Sequence, residues 1–285
     1  MYRLLALDMD GTLLNKRKIV TDTVKQAIRS LLVNGTYVTL ASGRFPASVW
    51  LHGKYLGLNA PLVALNGAVL LNQVDGAVLH ASPLPQEIAV RIAEFAEQEQ
   101  TYVHFYGYNT LFVEELNEMN AAWPLANVVV SPDLELTESN YRGQVHMIQV
   151  NPVGRLPIFL RNYTGPIYKA TIIDQNPDKV DIMCASLSQW PEIAVFRTGR
   201  KRFDINLQHV SKRSCLEKLC ADLRIERKEV AAIGDFDNDI DMLSWAGLGI
   251  CMGNGNESTK RAADDTTASN EENGVAVAIR KHFAI

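Results

Sequence analysis

The sequence has no excess of positive charge, no paired cysteines, no histidine cluster and no long apolar run. Its 28 Lys and Arg stand against 32 Asp and Glu, a formal net charge of -4. Nucleic acid demands a basic surface, so it is not an expected partner. No stretch is long and apolar enough to span a bilayer, so no membrane partner is expected. The opening "MYRLLALDMD" is not expected to be a signal peptide, because Asp8 interrupts its apolar run. The four cysteines (Cys184, Cys215, Cys220 and Cys251) form no Cys-x-x-Cys pair. They are expected to be small, reduced core residues, which fits a cytoplasmic setting. The six histidines show no ligand spacing, which argues against a zinc site. No internal repeat or low-complexity segment is visible.

What is present is an ordinary globular composition, 47% hydrophobic and 21% charged, over 285 residues. That length suits one large or two ordinary domains. The first part alternates short apolar runs with helical patterns. "RLLAL" (Arg3 to Leu7), "YVTLA" (Tyr37 to Ala41) and "PLVAL" (Pro61 to Leu65) predict strands. Thr21 is a good cap for a helix with a Val24, Ile28, Leu31 and Leu32 stripe, ended by Gly35. "AVLLNQVDGAVLH" predicts a hairpin turning at Asp75-Gly76. Alternating strand and helix implies a parallel sheet with right-handed crossovers.

From Pro83 the texture changes. A helix is expected over Gln86 to Gln100, and strands at "YVHFYG", "TLFVEE", "QVHMIQV", "IYKATII", "IAVFRTG" and "RFDINL". After His209 the first texture returns: a helix capped by Ser211, then apolar strands "VAAI" (Val230 to Ile233) and "LGIC" (Leu248 to Cys251). The expected organisation is an α/β domain split over 1–83 and 209–285, with an α+β domain inserted at 84–208.

Two strand ends carry the chemistry. "LLALDMDGT" closes on Asp8 and Asp10, followed by Gly11 and Thr12. The carboxyl edge of a parallel sheet is where ligands bind. Alternation places both acids on one side of an extended chain, and Gly11 lets the backbone turn. "VAAIGDFDND" ends a second strand with Asp235, Asp237, Asn238 and Asp239. An acidic surface turn explains one such end more easily than two. If the ends are adjacent, Asp8, Asp10, Asp235 and Asp239 converge. Two carboxylates ~4 Å apart repel by about 4 kcal/mol at an effective dielectric near 20, so the cluster calls for a cation. An all-oxygen donor set selects a hard divalent ion, Mg²⁺. "LASGR" (Leu40 to Arg44) offers the Ser42 hydroxyl and backbone N–H groups around Gly43 that could open a helix and receive an anion; taken alone, Ser-Gly reads more simply as a plain turn. Lys212 can offer an ammonium to a phosphate or to Asp8; a solvated side chain is the plainer alternative.

"DMDGT", "ASGR", the lysine of "VSKRS" and "GDFDND" stand in the order of the four motifs of the haloacid dehalogenase superfamily. The chain resembles its Cof-type phosphatases, with "LNGA" (Leu65 to Ala68), "MGNG" and "NGVA" in support. Arg213 after Lys212 and Gly255 after "MGN" depart from that pattern. The resemblance implies a Rossmann-like α/β core with an inserted α+β cap. It implies Asp8 as nucleophile and Asp10 as general acid and base. It places Mg²⁺ on Asp8, the Asp10 carbonyl and Asp235, with Asp239 supporting. Met9, Ser42, Gly43, Lys212 and Asn238 would hold phosphoryl oxygens, with Thr12, Arg44 and Asn66 in supporting positions. The implied substrate is a small phosphorylated metabolite such as a sugar phosphate. A phosphomutase using the same aspartyl phosphate, and a non-catalytic phospho-accepting Mg²⁺-binding module, remain as alternatives. In the inserted region, "HFYGYNT" (His104 to Thr110) could line a pocket or be ordinary surface strands. "RTGRKR" (Arg197 to Arg202) could meet a second phosphate or be a solvated hairpin tip.

Overall fold

A computed structural model describes residues 2–283. The chain folds as two compact units: Met1–His80 with Val129–Glu135 and Ser211–Ile285, and Ala81–Val128 with Leu136–Val210.

The first unit is built on a five-stranded sheet, in the order Asp265–Thr266, Leu248–Cys251, Val230–Gly234, Leu4–Leu7, Tyr37–Leu40. All its pairings are parallel. The three inner strands and most of the Tyr37–Leu40 edge are buried, as continuous apolar runs with no polar alternation require. Leu4 pairs with Val230 and with Tyr37, so the ends of these three strands lie level. The crossover helix Asp22–Val33 is capped by Thr21, whose Oγ1 accepts from Val24 N. It buries Val24, Ala27, Ile28 and Leu31. Strands Leu62–Ala64, Val69–Leu71 and Val78–Ala81 form a further three-stranded sheet. The core of this unit joins Leu4, Ala6, Val63, Leu216, Leu219, Val230 and Met242 among others.

The second unit has a six-stranded sheet, ordered Ile193–Gly199, Arg202–Leu207, Lys169–Ile173, Tyr102–Tyr106, Thr110–Val113, Gln149–Pro152. Only its last pairing is parallel. One face packs Val103, Phe105, Ala170, Ile172, Phe203 and Ile205 against helices Gln86–Gln98, Leu156–Asn162 and Pro177–Leu187. The expected strand at "QVHMIQV" is different: Arg142–Val145 is a helical turn and the strand begins only at Gln149. A short mixed apolar run fits either state.

The alternate face of this sheet is polar but buried, where "HFYGYNT" had surface tyrosines as the plainer expectation. His104 and Tyr106 are 0% and 3% exposed. The His104 ring lies between Tyr102 Oη at 3.2 Å and Tyr106 Oη at 3.1 Å. Thr171, opposite Asp204 on the neighbouring strand, donates its Oγ1 to Asp204 Oδ1 at 2.7 Å, and Lys169, two residues along, donates Nζ to Oδ2 at 2.8 Å. Each group finds a partner, which is the condition on which polar side chains go inside. Arg200 and Lys201 are exposed at the hairpin tip.

Candidate active site

Strand Leu4–Leu7 ends one residue before Asp8, whose N–H donates to Ile233 O of the neighbouring strand at 3.0 Å. The chain then turns through Gly11 at φ +88°, a conformation natural to glycine. A Cβ there would lie 2.2 Å from Asp235 Oδ2, so the turn also needs a residue without a side chain. Asp235 follows the level end of strand Val230–Gly234 and takes a hydrogen bond from Thr12 Oγ1 at 3.1 Å. Asp239 comes back from the single turn Asp237–Asp239, its Oδ2 accepting from Asp235 N at 3.0 Å and Phe236 N at 3.1 Å.

Oxygens of Asp8, Asp235 and Asp239 thus gather within 4.8 Å of one another. Lys212 is the cation inside this group. It starts helix Lys212–Leu223 behind the Ser211 cap, and its Nζ donates to Asp8 Oδ1 at 2.5 Å and Asp239 Oδ1 at 2.6 Å. It is fully buried, not the solvated side chain of the plainer alternative. Burial alone would lower its pKa; Asp239 and Asp8 outweigh that and raise it. Arg213, one of the two departures from the family pattern, points outward and pairs with Glu217 at 2.8 Å.

The acids are short of positive charge. Burial, then Asp239, raise Asp8 to about 6 against the pull of Lys212. Burial, then Asp8 and Asp239, push Asp235 up to about 9. Carboxyls raised by burial and by one another would be relieved by a divalent cation, and oxygen-only donors fit a hard one.

Asp10 is not part of that gathering, contrary to the expected convergence of four carboxylates. The strand has already ended at Leu7, so alternation no longer sets its direction. Its carboxylate is forked by Arg44, with Nε to Oδ2 at 2.6 Å and Nη2 to Oδ1 at 2.7 Å. Lys18 Nζ adds a third contact to Oδ1 at 2.6 Å. Burial would raise this carboxyl, but Arg44 and then Lys18 outweigh it and hold it well below the usual range. Lys18 went unremarked in the sequence. It lies in a run of exposed or half-exposed residues, Lys16 to Lys18, and nothing local marks it out.

Ser42 and Gly43 do not open a helix; the chain bends there, as the plain-turn alternative has it. That helix runs Pro46–Leu56, three residues further on, and the Ser42 hydroxyl is used locally by Arg44 N at 3.2 Å. Met9 is fully buried, its carbonyl accepting from Leu14 N at 2.9 Å. Asn66, held at φ +58°, receives Asn238 Nδ2 at 3.4 Å. Gly255 leaves no room for an alanine methyl, with Cys251 Sγ 2.4 Å and Met252 O 2.9 Å from where a Cβ would stand.

The family model of the haloacid dehalogenase-like hydrolases matches residues 5–279. The chain belongs to the haloacid dehalogenase-like hydrolases. Among members of this family, it is 27% identical to the 5-amino-6-(5-phospho-D-ribitylamino)uracil phosphatase YitU of Bacillus subtilis, over 99% of this chain and 98% of that protein. It is 26% identical to a putative phosphatase of Haemophilus influenzae, over 99% of both. A solved haloacid dehalogenase-like hydrolase from B. subtilis superposes with a TM-score of 0.84 at 25% identity, covering 99% of each chain. YitU, the H. influenzae protein and the phosphatase YwpJ of B. subtilis carry phosphatase names, and the solved hydrolase shares the fold of this chain. No helix among the described residues is long and apolar enough to cross a membrane.

Proposed function

We propose that the chain is a Mg²⁺-dependent phosphatase of small phosphate monoesters, working through an aspartyl phosphate on Asp8. The observation that carries this reading is the Asp8 carboxylate at the sheet's carboxyl edge, gathered with Asp235 and Asp239 around the buried Lys212 ammonium. An Asp8 oxygen attacks phosphorus while the ester P–O bond breaks and its electron pair leaves on the substrate oxygen. Asp10 gives that oxygen a proton. Water then attacks phosphorus, passes a proton to Asp10 and returns Asp8 as a carboxylate. One difficult displacement becomes two easier ones. The ionised form in which Arg44 and Lys18 hold Asp10 is the form the water step needs. Proton donation in the first step requires that hold to loosen with substrate in place.

Asp8, Asp235 and the Asp10 carbonyl would hold Mg²⁺, with Asp239 beside them. When bound, the ion neutralises the oxygens of the transferring phosphoryl group. Ser42, Gly43, Lys212 and Asn238 orient that group, with the Met9 backbone beside it, and Thr12 and Asn66 brace Asp235 and Asn238. The unit of Ala81–Val128 and Leu136–Val210 selects the substrate. Phosphorylated sugars and polyols, including phosphoribityl compounds like the one in the name of YitU, are the first class to try. The four cysteines, none of them in a disulfide, are consistent with a reducing, cytoplasmic setting.

The test is phosphate release from 4-nitrophenyl phosphate and from a panel of sugar and polyol phosphates, with and without Mg²⁺. Asp8→Asn is expected to lower Mg²⁺-dependent turnover by at least ~10³-fold with the fold intact. Undiminished turnover in that variant overturns the reading.

A further inference from the structure

Asp10 and the two cations on it form a second charged group beside the acid cluster, and three features set it apart. First, the donors are fixed from behind. The Arg44 side chain is 7% exposed, and its remaining terminal nitrogen donates to Ser48 Oγ at 3.3 Å. Second, Lys18 is delivered by a built loop. Its backbone sits at φ +61°, a region that strains any side chain, held by Lys18 N on Asn15 O at 2.9 Å. The Asn15 side chain accepts from Arg17 N and Ile19 N, both at 3.0 Å. Third, the acceptor is the accessible partner: the Asp10 side chain is 40% exposed. A guanidinium fork fits carboxylate and phosphate oxygens alike. A buried, anchored fork closed on a half-exposed carboxylate is an anion-receiving site already filled from within.

We propose that Arg44, with Lys18 beside it, is a ligand of the substrate's phosphoryl group, and that Asp10 is the internal anion it must leave. An arriving phosphate takes over Arg44 donors; Asp10, released from the fork, swings to the leaving oxygen. The inference rests on the phosphatase reading above and adds Arg44 and Lys18 to the groups that bind substrate. No covalent step is involved, only an exchange of hydrogen-bond partners.

The experiment is the binding of inorganic phosphate, by titration calorimetry with Mg²⁺ present, to wild type, Asp10→Asn, Arg44→Met and the double variant. If Asp10 competes for Arg44, Asp10→Asn tightens phosphate binding by about tenfold in the wild-type background and by no more than about threefold once Arg44 is gone. Equal tightening in both backgrounds is ordinary charge repulsion and overturns the proposal, as does Asp10→Asn weakening phosphate. If Arg44→Met does not fold, Lys18→Met, on a 40% exposed side chain, replaces it. It is then expected to weaken phosphate binding, and no change overturns the role of Lys18. Hydrolysis by wild type with an additive cycle sinks this inference alone. Neither hydrolysis nor phosphate binding sinks the phosphatase reading with it.

Discussion

Lys212→Met removes a side-chain cation hydrogen-bonded to both Asp8 and Asp239 while keeping most of the volume of a fully buried chain. The two contacts it breaks are 2.5 and 2.6 Å long, and both acids are buried. Removing one partner from a buried ionic group costs about 3–5 kcal/mol, because charge is left behind without compensation. At roughly 2–4 °C per kcal/mol for a domain of this size, thermal unfolding of the unit that holds the site is expected some 10 °C lower at pH 7.5 without metal. The pH dependence has a definite sign. Asp8 is already raised above its ordinary value, so its contribution to stability is present at low pH and lost as pH rises through about 6. Losing the ammonium raises it further. The deficit of the variant therefore grows from pH 5 to pH 8, and Mg²⁺ stabilises the variant more than wild type. Differential scanning fluorimetry across pH and Mg²⁺ concentration reads all three effects. A variant that melts within 2 °C of wild type at pH 7.5, with no added response to Mg²⁺, would refute the idea that Lys212 compensates buried acids.

Two further outcomes follow from the packing. Gly67 sits at φ +100°, and a Cβ on it would lie 2.0 Å from Ser211 O, so Gly67→Ala should unfold at lower denaturant and weaken the entry to the Lys212 helix; an unchanged urea midpoint contradicts this. Burial holds His52 and His104 down to about 3, helped by Arg44 and Lys169 respectively. Groups depressed in this way add stability above pH 6.5 that is lost as pH falls, about 1.4 kcal/mol each at pH 5.5. Replacing either histidine with glutamine should flatten the acid limb of the stability curve, and an unaltered limb would mean the native rings take up protons.

Much of this could be read from the chain because the information was local. Continuous apolar runs named the parallel strands, Thr21 and Ser211 named two caps, and two acidic strand ends named one edge of one sheet. What the sequence concealed was set by distance in sequence. Lys212 lies 204 residues from Asp8, and nothing in "VSKRS" says that its ammonium is buried between acids. Asp10 looked like a companion of Asp8 because strand alternation was carried past the strand's end; Arg44, 34 residues away, decides where it points. The partners of Asp204 come from another strand, Lys169 and Thr171, so nothing within "RFDINL" marks Asp204 and Asn206 as buried. Lys18 drew no attention in the sequence, since only the left-handed turn and the reach to Asp10 distinguish that lysine.

The central claim is that Asp8 carries the phosphoryl group. An acyl phosphate on an aspartate is reduced by borohydride to homoserine, so enzyme quenched during turnover, reduced and mapped by mass spectrometry reports the modified residue directly. The account predicts homoserine at position 8 and nowhere else. Homoserine at another aspartate, or none in enzyme quenched during a burst of leaving-group release, contradicts it.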